Sequence, residues 1–363
     1  MRFSRRPRVS SVLTAYFMWS WSALLASAAW WLLTVPPMTE RYENTSARGA
    51  KVYCDSLRYL KPYQYQRCLR QPTLMAVISD GIKSGIRECQ YQFRNSKWNC
   101  STYPGPPGRH AFHPILKARG REKAFVYAIL SAAVSYEITR ACSNGAMLSE
   151  CGCAKINPHD RKRGGNFVWG GCSDDVKIGD EISRSFLDGD IVTAKSMKKQ
   201  LRKHNSEAGR MVVTSNMRKV CKCHGITGSC AQTVCWRSMP TLRFISHRIK
   251  QRFDGSVQAR IRKGILRPRN KKHKNPTALD LVYAKPSQTN FCEPNLKRGS
   301  YGTRGRVCNE SSIANDHCGI MCCDRGYHVE TFMRPYGCNC VFEWCCQVKC
   351  QECRERVTLS YCS

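Results

Sequence analysis

The sequence predicts a disulfide-rich α+β fold: a helical N-terminal domain with a β-hairpin protrusion, then a small cysteine-rich C-terminal domain. Three observations predict it. The 363 residues include 24 cysteines, an even number that thickens toward the C-terminal third. Between residues 45 and 255, apolar side chains recur at helical spacing. Around Cys221–Cys235 this period stops, and cysteines crowd about two glycines as in a tight hairpin.

The cysteine count implies metal in a reducing compartment or disulfides in an oxidising one. The N-terminus favours the second. Arg2, Arg5, Arg6 and Arg8 form a basic start, no charged residue follows from Val9 to Thr39, and Ala26-Ser27-Ala28 is a small-x-small cleavage pattern. Residues 1–28 therefore read as a signal peptide, with a boundary as late as about residue 39. The apolar run from Val12 to Val35 is also long enough for an uncleaved anchor. Either way the remainder enters the secretory pathway, where Asn44, Asn99 and Asn309, each in an N-x-[ST] sequon, become candidate glycan sites.

A formal net charge of +33 suits a polyanion partner. For a secreted chain that partner is a sulfated glycosaminoglycan rather than nucleic acid. The densest basic run holds Arg260, Arg262, Lys263, Arg267, Arg269, Lys271, Lys272 and Lys274 without an acid. Residues 256–285 read as a basic linker, for which the alternative to a polyanion site is a solvated stretch with no specific partner.

In the helical part, Pro72 opens a helix with Leu74, Ile78, Ile82, Ile86, Cys89 and Phe93 on one face. Residues 103–113 are a Pro/Gly loop. Arg121–Asn144 is a second helix with Phe125, Ile129, Ala132, Ala133 and Tyr136 on one stripe, and Gly145 follows it as C′ residue. Ser173 is the candidate N-cap of a third helix, broken at Gly189 and running toward His204; Asn205 is the candidate cap of a fourth, Ser206–Val220. Core packing accounts for these stripes. Residues 286–363 carry 12 cysteines and lack long apolar periods, so disulfides must supply most of their order.

Cys221-Lys222-Cys223-His224-Gly225-Ile226-Thr227-Gly228-Ser229-Cys230, closed by Cys235-Trp236, carries the chemistry. Pairing Cys223 with Cys230 and Cys221 with Cys235 avoids crossing and ladders the hairpin. Ser229 and Thr227 then stand as hydroxyls on a rigid tip. A nucleophilic serine would need a base and an oxyanion hole, and Gly-Ser-Cys is no nucleophile elbow. A modification site, ordinary turn chemistry and a zinc site on Cys-x-Cys-His are the other readings; an oxidising compartment argues against zinc.

These residues resemble the signature of the Wnt family, with Ile226-Thr227 where Val-Ser is usual. Further blocks are similar to the family: Glu88–Arg94 with Trp98-Asn99-Cys100, Ala124–Ala128, Thr139–Cys142, Trp169–Asp174, Asn205–Arg210, Gly302–Arg306 with Cys308-Asn309, and Cys322-Cys323 with Arg325-Gly326-Tyr327. The resemblance runs from about Cys54 to Cys362. It implies a secreted, lipid-modified developmental ligand, not an enzyme, that binds Frizzled cysteine-rich domains and a low-density-lipoprotein-receptor-related or other co-receptor. It implies no cofactor and no metal, but a monounsaturated fatty acyl ester on Ser229, placed there by a membrane O-acyltransferase. A lipid carrier would then be needed for secretion, and heparan sulfate proteoglycans would hold the ligand at the cell surface and in the matrix. A heparin-binding matrix protein and a secreted hydrolase are the competing classes.

By resemblance, residues 338–353 form a second finger, with Cys338–Cys353 and Cys340–Cys350 as nested rungs and Cys345–Cys346 as a vicinal pair. Cys350-Gln351-Glu352-Cys353 also fits a redox Cys-x-x-C, but without the βαβ context. The implied receptor contacts are Ile226, Thr227, Val341, Phe342 and Trp344. Val341, Glu343 and Asp324 depart from the residues usual at their positions. The remaining implied bridges are Cys54–Cys68, Cys89–Cys100, Cys142–Cys151, Cys153–Cys172, Cys292–Cys323, Cys308–Cys318 and Cys322–Cys362.

Overall fold

A computed structural model describes residues 47–57, 60–103, 112–147, 151–155, 167–191, 196–225, 229–262, 264–270 and 274–363. The segment read as a signal peptide and Asn44 lie outside the described residues, as do Ile226, Thr227, Lys263, Lys271 and Lys272. Two compact units divide the chain: residues 1–76 with 104–111, and residues 77–103 with 112–363.

In the first unit, α1 (Ala47–Ser56) and α2 (Pro62–Arg70) are bridged by Cys54–Cys68. Tyr65 donates its hydroxyl to Asp55 Oδ1 at 2.6 Å. Lys61 donates its amide to Gln64 Oε1, so the N-terminus of α2 is closed by a side chain of its own first turn. The helix α3 (Pro72–Gln92) begins at Pro72, whose missing N–H costs nothing in a first turn.

The second unit is organised on one buried helix. After the short α4 (His113–Lys117), α5 (Arg121–Ser143) buries residues all round its circumference, not one stripe. It can do so because its neighbours approach through small residues. A Cβ on Gly81 of α3 would sit 2.7 Å from the Val134 Cα, and one on Gly209 would overlap the Ala128 carbonyl. Gly209 lies on α7 (Met197–Ser215), which follows α6 (Val176–Asp188); both pack on α5, as does α8 (Leu242–Asp254). Phe93 closes this core by edge-on contact with Phe125 and Phe253 at 4.8 and 4.9 Å.

Two helix starts differ from the sequence reading. Asp175, not Ser173, caps α6, accepting from the Lys177 and Ile178 amides. Asn205 caps nothing: it lies in the middle of α7, buried, and its amide meets the backbone of Val282. The helix ends at Ser215, and the chain is a strand from Arg218 onward.

The buried polar network was not anticipated. Arg210, 1% exposed, meets Asp188 at 2.8 Å, Glu207 at 3.0 Å and Asp180 at 3.1 Å. Burial pushes the Asp188 carboxyl up, although Arg210 and Arg202 pull it down. The short contact and the upward direction point opposite ways; desolvation outweighs a real ion pair here.

The basic linker is folded where it is described. After β1 (Val168–Trp169), β2 (Arg218–His224) and β3 (Gln232–Ser238), the strand β4 (Val257–Arg262) pairs antiparallel with β5 (Ile265–Pro268) and parallel with β6 (Val282–Tyr283). Ala259 and Val282 bury against Leu201. Period-two alternation puts Arg260 and Arg262 outward, with Arg267 directly across from Arg260. Charge hid this strand pattern.

The C-terminal segment adds β7 (Pro294–Asn295), β8 (Ser300–Tyr301), β9 (Val307–Cys308) and the short α9 (Cys318–Met321). Its small core consists of Cys308, Cys318, Met321, Cys322 and Cys362, with Tyr327 against it. Arg306 ties it to the loop after α3 by donating to the carbonyls of Lys97 and Arg94. From that core a long antiparallel ribbon projects, β10 (Tyr327–Glu343) with β11 (Gln347–Cys362), far longer than residues 338–353.

Candidate functional site

The candidate site consists of two hairpin tips. In the first, β2 and β3 pair with Cys221 opposite Cys235. Cys221–Cys235 and Cys223–Cys230 are both formed, as nested rungs. Such short loops gain about 2–3 kcal/mol each; their main effect is to hold strands that have no core beneath their outer half. A third strand braces the base, since β1 runs parallel to β3 with Trp169 beside Cys235. The Lys219 ammonium stands over Phe167 at 4.2 Å.

Ser173 and Asp174 fasten this base, a role without a local sequence signal. Ser173 accepts the Arg237 amide, and Asp174 accepts from the Met239 amide at 2.7 Å and from the Ser238 and Ser143 hydroxyls. All four partners lie well away along the chain, 31 to 65 residues distant. At the tip Ser229 is exposed and packed against Gly225, where any Cβ would overlap the serine hydroxyl. Ser229 makes no hydrogen bond to His224 or to a carboxylate among the described residues.

In the second hairpin, Cys338–Cys353 and Cys340–Cys350 form the two rungs. The register shifts between Cys338 and Val341, where Asn339 adopts φ +48° and donates to Gln351 Oε1. Beyond this bulge Phe342 faces Val348 and Glu343 faces Gln347, leaving Trp344, Cys345 and Cys346 as the loop. Trp344 is 94% exposed, with Phe342 at 66% and Val341 at 64%. This is a large apolar surface for a ribbon without a core beneath it.

The vicinal bridge is corrected. Cys345 and Cys346 are free, exposed thiols, both at positive φ. Neighbouring Cα atoms lie about 3.8 Å apart across a trans peptide, short of the usual disulfide spacing of about 5.5–6 Å. The other bridges present are Cys54–Cys68, Cys89–Cys100, Cys142–Cys151, Cys153–Cys172, Cys292–Cys323, Cys308–Cys318 and Cys322–Cys362. Among the described residues one close sulfur cluster occurs, Cys308 with Cys318 and Cys322, and its sulfurs are committed to these bridges.

The family model described as "wnt family" matches residues 56–363. The chain belongs to the Wnt family. It is 40% identical over 339 residues to Protein Wnt-3a of Mus musculus and of Homo sapiens, across 91% of this chain and 93% of each relative. Among solved structures it is similar to human WNT8A in complex with WLS, with TM-score 0.58 and 32% identity, covering 80% of this chain and 94% of that one. The Wnt fold is therefore shared in outline with a solved member. Its members are secreted signalling ligands, not enzymes, and the two hairpins are this Wnt protein's exposed, disulfide-held projections.

The other predicted site residues scatter. Asn309 is exposed, and its side-chain oxygen accepts from Ser311. Asn99 is half-buried between the buried Trp98 and Cys100. Arg260, Arg262, Arg267, Arg269 and Lys274 are all exposed.

Proposed function

We propose that this Wnt ligand carries a monounsaturated fatty acyl ester on Ser229 and grips a Frizzled cysteine-rich domain with its two hairpin tips. The observation that carries the reading is an exposed serine on a hairpin held by two disulfides. Burying about a dozen CH₂ groups at ~0.8 kcal/mol each is worth roughly 10 kcal/mol before ordering costs. A narrow tip presents too little protein surface to reach that alone. Ile226 and Thr227 would flank the lipid, while Val341, Phe342 and Trp344 would supply the opposite contact.

On this reading the helical part with hairpin 221–235 and the cysteine-rich part with its ribbon act as two arms of one receptor clamp. A co-receptor of the low-density-lipoprotein-receptor-related type would bind elsewhere and start the signal. A membrane O-acyltransferase would load the lipid. The similarity to WNT8A, solved with WLS, supports a membrane carrier during secretion. The exposed arginines of β4 and β5 suit heparan sulfate proteoglycans at the cell surface and in the matrix. Asn44, Asn99 and Asn309 would carry glycans.

Mass spectrometry of the secreted protein tests the centre of this reading. The expected result is an acyl mass on the Ser229 peptide, and a Ser229→Ala variant that is secreted poorly and does not bind a Frizzled domain. An unmodified Ser229 with full signalling by the variant overturns it.

A further inference from the structure

A cavity of about 420 Å³ lies between the α4–α5 connection, α5, α7 and β6. Lys117, Arg119, Lys123 and Lys198 line it, and no acidic residue does so among the described residues. Its floor is apolar, with Leu201, Val282 and Tyr127. A second cavity of about 290 Å³ shares Lys117 and Arg119 and adds Lys285, Lys297 and Arg298, again without an acid. The two share the wall of Lys117, Ala118 and Arg119 in the second unit, and no described residue of either hairpin tip lines them.

These cations are unspent. Among the described residues none of Lys117, Arg119 and Lys198 has a carboxylate partner. Arg202, one turn beyond Lys198, is different: Asp188 and Asp190 engage it. Glu122 is buried against Gly120, and burial pushes its carboxyl up, which weakens it as a counter-ion. Lys123 is the inner wall. It donates to the carbonyls of Leu116 and Ala118, at 2.6 and 3.3 Å, and so points its charge inward at a fixed place. Burial, then Lys198, Arg119 and Arg202, bring its amine down to about 8. Like charges held together around an apolar floor, with no acid to neutralise them, cost stability unless an anion offsets them.

We propose that this recess binds a small organophosphate: phosphate groups on a polyol or sugar ring, with the phosphates on Lys117, Arg119 and Lys198 and the ring's C–H face on Leu201 and Val282. Arginine with flanking lysines suits a dianionic phosphate, which accepts several charge-assisted hydrogen bonds at once. The apolar floor suits a compact ring better than a bare ion. A walled recess suits a small molecule better than a long sulfated chain, which the open strands β4 and β5 can follow. The phosphate can come from a soluble polyol phosphate or from the headgroup of an inositol lipid.

The test uses the full secreted ligand in its detergent, with amine acylation and peptide mass spectrometry as readout. Inositol hexakisphosphate is expected to protect Lys117 and Lys198 while leaving Lys274 reactive. The double variant Arg119→Gln/Lys198→Gln should weaken that protection about tenfold or more, with its secretion and eleven-disulfide pattern unchanged. Vesicles of phosphatidylcholine with phosphatidylinositol bisphosphate, against plain phosphatidylcholine, identify the source. Protection at lower phosphate concentration than the soluble probe needs points to a lipid headgroup, and the reverse to a soluble phosphate. Uniform protection of all lysines, protection confined to Lys271, Lys272 and Lys274, or protection by a heparin fragment alone overturns the proposal.

Discussion

Gly225 and Ser229 are packed so closely across the first hairpin tip that no side chain fits between them: a Cβ on Gly225 would overlap the Ser229 hydroxyl and crowd its carbonyl. The glycine thus sets where the serine hydroxyl stands, independently of the two rungs below. Gly225→Ala should leave Cys221–Cys235 and Cys223–Cys230 formed but displace Ser229, and so lower the acylated fraction of the secreted protein several-fold. Intact-mass analysis of wild type and variant measures that fraction. Equal acylation with normal secretion would show that the enzyme loading the lipid tolerates a moved hydroxyl.

The rungs and turn of the first hairpin were legible because what defines them is local; the bracing of its base by Trp169, Ser173 and Asp174 was not. Two cysteines on each side of a glycine turn leave one uncrossed pairing from strand to strand. Asn205 was misread for the opposite reason. An Asn before Ser-Glu has the local look of a cap, yet its amide donates to the Val282 carbonyl at 2.9 Å and accepts the Val282 amide at 2.9 Å. That partner is 77 residues away and leaves no local trace. The strand Val257–Arg262 was hidden differently, since its alternation lies between Ala259 and Ile261 on one side and arginines on the other. Net charge there dominated the composition and masked the period.

The buried Arg210 should behave as one half of a pair, not as a free contributor. Arg210→Met leaves Asp188 buried with only the longer Arg202 contact of 3.6 Å. Removing one partner of such a pair costs about 3–5 kcal/mol. Replacing both, Arg210→Met with Asp188→Leu, should recover most of the loss, because burial already outweighs attraction at Asp188. Urea unfolding of the three proteins measures both steps. A double variant no more stable than the single one would show that Arg210 is held by Asp180 and Glu207 instead.

Lys123 gives the stability a pH dependence of definite sign. Its amine falls from 10.5 to about 8 in the folded protein, chiefly through burial. Between those values the unfolded chain binds more protons than the folded one, so stability rises with pH across that window. Below about 8 the amine is charged in both states and the burial cost is fully present. The difference between wild type and Lys123→Met should therefore change from about pH 7.5 to about pH 9.5, wild type gaining relative to the variant. Urea unfolding with Cys345 and Cys346 alkylated measures it, and a constant difference would mean that Lys123 stays protonated in its recess.

Trp344 and Phe342 face solvent at 94% and 66% exposure, so the fold has little to lose when either is cut back. Burial of such side chains only in a complex would make them the anchors of that contact, and aromatic anchors cost about 2 kcal/mol or more when truncated. Trp344→Ala should therefore leave secretion and unfolding unchanged while weakening binding to a Frizzled domain about thirtyfold. Phe342→Ala should weaken it less, since the cross-strand neighbour Val348 still covers part of the same face. The lipid at Ser229 works from the other tip, so the Trp344 variant should still be acylated to the wild-type level. Surface binding assays on acylated protein separate the two ends: a Trp344→Ala ligand that keeps full affinity would leave the first hairpin as the only grip and the ribbon free for another partner.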